Sequence, residues 1–402
     1  MSVKYKKYIL RLSLILSLSI GLFYNNSLQA QTTPTAKLRG LGKHSVQMLA
    51  LGQNHTCAIL DDGRVKCWGH NTQGKLGLGD TANRGDGANE MGDNLPVANL
   101  GTNRTARSLT VGLDHTCAIL DDGRVKCWGF NTQGQLGLGD VAHRGDGANE
   151  MGDNLPVVDL GTNRTARSLT AGQNHTCAIL DDGRVKCWGF NTQGQLGLGD
   201  VAHRGDAAGE MGDNLPVVDL GTNRTARSLV AGGNHTCAIL DDGRVKCWGL
   251  NDFGQLGVGD IAIRGDAAGE MGDSLAFVDL GTNRTARSLV AGAQHTCAIL
   301  DDGRVKCWGY NFYGQLGLGD GLNKGDAAGE MGDSLAFVNL GTNRTARSLV
   351  ADGLHTCAIL DNGSVKCWGR NTEGQLGLGD VAHRGDAAGE MGDSLRAIRF
   401  GR

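Results

Sequence analysis

Six stretches of the chain carry a histidine followed by two cysteines ten residues apart. His55 opens the series, and His115, His175, His235, His295 and His355 repeat it at sixty-residue steps. The cysteine pairs are Cys57 with Cys67, Cys117 with Cys127, Cys177 with Cys187, Cys237 with Cys247, Cys297 with Cys307, and Cys357 with Cys367. Such groups could do three kinds of chemistry. Two thiols can join as a disulfide, two thiolates and an imidazole can hold zinc, and an imidazole can move protons. Spacing separates these readings. Asp61-Asp62-Gly63 has the form of a three-residue hairpin loop with Gly in the left-handed position. That loop sets Leu60 against Arg64, Ile59 against Val65, Ala58 against Lys66, and Cys57 directly opposite Cys67. Opposed side chains of an antiparallel pair bring their Cβ atoms to about 4.5–5.5 Å, near what a disulfide needs. One disulfide per repeat is therefore expected, with reduced buried thiols as the alternative. Zinc fits poorly because the usual CxxC spacing is missing. One histidine per repeat at a strand start reads as a hydrogen-bonded structural group.

A second recurring set is oxygen-rich: Asp80, Asp86, Glu90 and Asp93, with Gly and Asn between them. Such loops can bind Ca²⁺, but the spacing is not that of an EF-hand, and Asp beside Gly is a turn signal. Turn formation is the favoured reading and calcium the alternative; no metal or cofactor is expected. Within this set Arg84-Gly85-Asp86 matches a cell-adhesion tripeptide, a weak signal. The Asn-x-Thr sequons at Asn103 and Asn163 read as by-products of repetition. There is no GxSxG, HExxH or phosphate-cradling loop, and no cysteine is left over. Symmetric copies do not supply the unlike environments that catalysis asks of its acids and bases. The chain is therefore not expected to be an enzyme.

The elements that position these groups follow from composition and period. Gly makes up 65 of 402 residues and aromatics 5%, which suits many thin, turn-rich units rather than one large core. In one unit "LPVVDL" at Leu155, "RSLTAG" at Arg167, "HTCAIL" and "RVKCWG" are four short apolar-bearing runs separated by Gly, Asn and Asp. That pattern predicts four antiparallel strands per repeat, the content of a propeller blade. One Trp per repeat, from Trp68 to Trp368, is expected to pack inside. The chain is thus read as all-β: a β-propeller of six four-stranded blades. Its last segment, "SLRAIRFGR", aligns with the strand that the first unit lacks, so closure by pairing of the C-terminal strand with the first blade is expected.

Residues 1–30 differ from the rest: Lys4, Lys6, Lys7 and Arg11 precede an apolar run from Ile9 to Tyr24. They read as a signal peptide, followed by a linker at 31–43 and a single propeller domain at 44–402. Export to the periplasm, the cell surface or the medium follows, with no membrane span once the leader is gone. The formal net charge is −3 and falls to about −7 without the leader's four cations, which argues against nucleic acid as a partner.

The ordered set of "HTCAIL", Asp-Gly, Val, "CWG", Asn and "GQLGLGD" resembles the regulator of chromosome condensation repeat, over nearly the whole chain after residue 44. The resemblance implies a β-propeller. Familiar members of that family have seven repeats, whereas six are counted here. They include a nuclear guanine-nucleotide exchange factor, a plant ultraviolet-B photoreceptor and a secreted β-lactamase inhibitor, so the family implies binding without fixing the partner.

Comparing the six copies locates the place to look. Lower turns hardly vary, while the link before each His and the residue after each Trp-Gly do. Leu113, Phe130, Phe190, Leu250, Phe253, Tyr310, Phe312, Tyr313 and Arg370 fall on these loops, all at the end called here the upper face. Aromatic and Arg side chains supply much of the energy of protein interfaces. The expectation is a monomeric, exported scaffold that binds an unidentified protein through this face. A secreted protein inhibitor of a hydrolase is the second reading, and a carbohydrate-active enzyme on a propeller scaffold the third.

Overall fold

The computed structural model describes residues 45–401; the expected leader and linker lie outside the described residues. Six antiparallel sheets follow one another along the chain, each with its strands in sequence order. In the second blade the inner strand is Ala106–Val111, the middle strand His115–Leu120 and the outer strand Val125–Gly129. Inner strands of successive blades touch, and the sheets fan outward from them.

The hairpin register is the one that the loop dictates. Leu60 N–H donates to the Arg64 carbonyl at 2.9 Å, and Gly63 takes φ 79°, a left-handed conformation that favours glycine. Ile59 then faces Val65, Ala58 faces Lys66 and Cys57 faces Cys67. All six cysteine pairs are joined as disulfides.

No blade has a core of its own. Apolar side chains of one sheet meet those of the next, so the core lies in the junctions. At the first junction Cys57, Ile59, Val65 and Leu76 pack against Ala118, Leu120, Trp128 and Leu155 of the second blade. Each buried Leu or Ile there contributes roughly 1.5–3 kcal/mol. The tryptophans at 128, 188, 248, 308 and 368 are fully buried, as expected of packing residues.

Two expectations about the fourth strand are corrected. The run Leu155–Leu160 does not begin the next blade but lies along the outer strand of the preceding one, where Val158 N–H donates to Val125 O at 2.8 Å. It forms no regular strand, and the physical reason is competition for its backbone. The Asp159 carbonyl accepts from Gly212 N–H at 3.0 Å and the Leu160 carbonyl from Lys186 Nζ at 3.1 Å, both of the next blade, instead of from a ladder partner. The blades therefore have three regular strands and one irregular, half-buried segment. The second correction concerns the chain's end. Ile398 N–H donates to Val365 O at 2.8 Å, so the last segment completes the sixth blade, not the first. It keeps the same offset that joins Val158 to Val125, and this local packing wins over a reach to the far side of the ring.

Candidate functional site

The histidines and tryptophans serve the junctions. Thr176 Oγ1 donates to the Gln135 carbonyl at 3.0 Å, which leaves its oxygen free to accept from His115 Nε2–H at 2.9 Å. Trp188 Nε1–H donates to the same carbonyl at 3.1 Å. His115 and Gln135 belong to the second blade, Thr176 and Trp188 to the third, so the set is a latch between blades. It repeats with His55–Thr116, His175–Thr236, His235–Thr296 and His295–Thr356. Burial holds these imidazoles neutral: His115 and His235 are lowered to about 4, and His55, His175 and His295 to about 3. A side chain at Gly112 would run into the His115 ring, so glycine is needed there for the close approach.

The acidic loops are folded upon themselves. Asp80 Oδ1 accepts from Ala82 N–H at 2.9 Å, and Asp80 Oδ2 pairs with Arg84 at 2.6 Å. Glu90 accepts from Gly85 and Gly87 N–H, each at 2.8 Å, and Asp86 accepts from Asn83 at 3.3 Å. Asp153, the counterpart of Asp93, accepts from Thr102 N–H at 2.9 Å. Among the described residues no group of three or more acids, histidines or cysteines is gathered to hold a metal. Backbone N–H groups and Arg84 thus use oxygens of Asp80 and Glu90, and Asp86 takes the Asn83 side-chain amide, contacts that shape the turns. The Arg-Gly-Asp tripeptide is likewise tied down: Arg84 also donates to the carbonyls of Ala82 and Asn83.

At the ring axis the link residues join blade to blade. Leu113 N–H donates to Gln173 O at 3.2 Å, Gln173 to Gly233 at 3.2 Å, Gly233 to Ala293 at 3.1 Å and Ala293 to Gly353 at 2.9 Å. The hollow they surround measures about 70 Å³ and is lined by small residues such as Gly112, Gly172 and Gly232. A hollow of this size has room for a few waters.

The sequence-predicted residues divide on the upper face. Leu113 sits at the axial hollow. Phe130 and Phe190 lean on His143 and His203 of their own blades, at centroid distances of 5.0 and 5.1 Å. Leu250 holds the equivalent, half-buried position in the fourth blade. The remaining five converge. Phe253 lies 4.7 Å from Tyr310, and Tyr313 lies 5.0 Å from Phe312 and 6.5 Å from Tyr310. Arg370 stands 5.9 Å over the Tyr313 ring. The cluster thus spans the fourth, fifth and sixth blades, and Phe312 at its rim is 65% exposed. Burial raises the Tyr310 hydroxyl above its usual range, helped by Tyr313, so it stays a neutral hydrogen-bonding group.

Comparison of the copies missed two features. His383 joins the cluster, 5.0 Å from Tyr313. Val141, Val201, Ile261, Leu322 and Val381 form a set of exposed apolar side chains in the long loops, each more than half open to solvent. Val141, Val201 and Val381 are identical, so a search for variation passed over them. The available signal was a branched apolar residue one or two positions after a Gly-Asp turn.

The sequence profile of the RCC1-like domain matches residues 18–388. The ultraviolet-B receptor UVR8 of Arabidopsis thaliana is 29% identical over 358 residues, 88% of this chain and 71% of the receptor. Protein pim1 of Schizosaccharomyces pombe is 30% identical, over 84% of this chain but 61% of its own length. Among solved structures, yeast RCC1 (Prp20), determined bound to Kap60, superposes with a TM-score of 0.65 at 22% identity, covering 88% of this chain and 75% of that one. Human WBSCR16 superposes with a TM-score of 0.63 at 18% identity, over 90% and 84% of the two chains. These two likenesses bear on the fold. With a profile match over most of its length and the blade architecture that the structure displays, the chain belongs to the RCC1-like β-propeller family.

Proposed function

We propose that this protein is an exported, non-enzymatic propeller that captures a partner protein through its upper face. The observation that carries the reading is the convergence of Phe253, Tyr310, Phe312, Tyr313 and Arg370 from three blades into one surface cluster. Rigid aromatic rings with a guanidinium beside them are the side chains that dominate interface energetics. The titles of related structures point the same way: yeast RCC1 is seen bound to Kap60, and Prp20p is described for binding Gsp1p and histones. Six disulfides support an oxidising compartment, in keeping with the leader-like residues 1–30. Inhibition of a hydrolase is a narrower form of the same reading and would use the same cluster.

The test is capture from the protein's own extracellular medium by crosslinking. The unaltered chain should capture a defined partner, and a variant with Phe253, Tyr310, Phe312 and Tyr313 changed to Ser should lose it at unchanged Tm. Undiminished capture by that variant sinks the proposal. Stoichiometric loss of a hydrolase activity on titration marks an inhibitor, and its absence marks a scaffold.

A further inference from the structure

The long loop of every blade but the fifth binds a guanidinium of its own. In those five blades an arginine, from Arg84 in the first to Arg384 in the sixth, pairs with the aspartate four residues before it at 2.5–2.7 Å. The same guanidinium donates to the carbonyls of the two residues before it, at 2.8–3.0 Å and 2.8–3.1 Å. One carboxylate oxygen and two carbonyl oxygens thus form a seat that suits the planar fork of an arginine.

In the fifth blade Lys324 stands in the arginine's place. Its ammonium turns to Glu330 at 3.7 Å, and among the described residues no cation of the chain pairs with Asp320. The carboxylate is nevertheless pinned as in the other blades. Asp320 Oδ1 accepts from Leu322 N–H at 3.0 Å and from the Asn311 side-chain amide at 3.2 Å, as Asp80 Oδ1 does from Ala82 and Asn71. Asp320 Oδ2 and the carbonyls of Leu322 and Asn323 receive no donor among the described residues.

This seat lies beside the exposed ring of the aromatic cluster. Asn311, which holds Asp320, directly precedes Phe312, and a side chain at Gly321 would stand 3.7 Å from the Phe312 carbonyl. The fold already lays guanidinium groups on phenyl faces: Arg244 over Phe277 and Arg304 over Phe337, each at 3.7 Å. Charge favours the same ligand. Residues 250–270, 310–330 and 370–390, the upper loops of the three cluster blades, carry eleven carboxylates against four lysines and arginines, so they attract a cation and repel an anion. Arg370 of the cluster is itself turned to Thr372 Oγ1 at 3.0 Å.

We propose that the partner captured at this face inserts an arginine side chain at Asp320, its guanidinium bound by Asp320 Oδ2 and the carbonyls of Leu322 and Asn323 and its stem laid along Phe312. This rests on the capture reading above and names the chemistry of the partner's anchor.

Filling the seat from within tests it. Lys324→Arg restores the residue of the other five blades and keeps the charge, so it should weaken capture about tenfold or more without lowering Tm. A fluorescein-labelled Leu-Arg-Leu peptide should bind the unaltered chain, and citrulline in place of its arginine, neutral and similar in shape, should weaken binding to a like extent. Asp320→Asn should weaken binding of the arginine peptide in the same way. Undiminished capture by Lys324→Arg overturns the proposal, as does equal binding of the two peptides or binding of neither at millimolar concentration. If the variant with four aromatic residues changed to Ser loses capture while Lys324→Arg keeps it, the arginine anchor falls and the capture reading stands; if both keep it, both fall.

Discussion

Lys75 reaches across the first junction to Asp114, and at the next two junctions Gln135 faces Asn174 and Gln195 faces Asn234 at 3.5 and 3.4 Å. An ion pair has replaced an amide pair at one structural position. The Lys75 side chain is fully buried and also meets His70 Nδ1 at 3.0 Å, while Asp114 is 26% exposed.

A buried ammonium without its anion is costly, whereas the amide pair is already tolerated next door. Asp114→Asn alone should therefore destabilise by about 2–4 kcal/mol, the range for breaking a buried pair reduced for partial exposure. Lys75→Gln with Asp114→Asn should return close to the parent. Urea midpoints of the two single variants and the double variant complete the cycle; a double variant as unstable as Asp114→Asn would refute the exchange.

Stability should fall with acidification. The unfolded chain binds protons at its histidines near the ordinary value of about 6.5, whereas burial holds five of them at about 3 to 4 in the folded state. Below about pH 6.5 the unfolded state therefore takes up more protons, and stability drops as pH falls through this window until the folded values are reached. Each such histidine contributes a loss of about 2 kcal/mol on going from pH 7.5 to pH 5. Tm measured against pH should slope accordingly, more shallowly in His235→Gln. A flat profile between pH 7 and pH 5 would contradict it.

The latch makes Thr176 a sensitive position. Thr176→Val keeps the shape but removes both the acceptor of His115 and a donor to Gln135. Leaving His115 Nε2–H unpaired should cost about 1–3 kcal/mol, read from the shift in denaturant midpoint. A shift within 0.3 kcal/mol, about the error of such comparisons, would show that the latch is idle.

Each hairpin disulfide closes a short loop, and the chain-entropy account gives about 2–3 kcal/mol for one of this size. Replacing Cys177 and Cys187 with Ser should lower stability by that amount or less, since the tight Asp181-Asp182-Gly183 turn keeps part of the hairpin in the unfolded chain. Thiol titration of the denatured, unreduced, exported protein should find close to no free thiols; twelve would refute all six pairings.

Sequence alone determined the local structure of this protein. A three-residue loop with glycine in the left-handed position fixes the register of its strands, and with it Cys57 against Cys67, because both depend on residues within a dozen positions of each other. The sixty-residue period likewise determined the number of blades, and the choice of variable loops found Phe253, Tyr310, Phe312, Tyr313 and Arg370. Tertiary structure alone decided what spans the junctions. Whether Leu155–Leu160 belongs to the blade before or after it is decided by the Val158 N–H bond to the Val125 carbonyl, and periodicity is the same either way. The meeting of His383 with Tyr313, and of Lys75 with Asp114, depends on how one blade is rotated against the next.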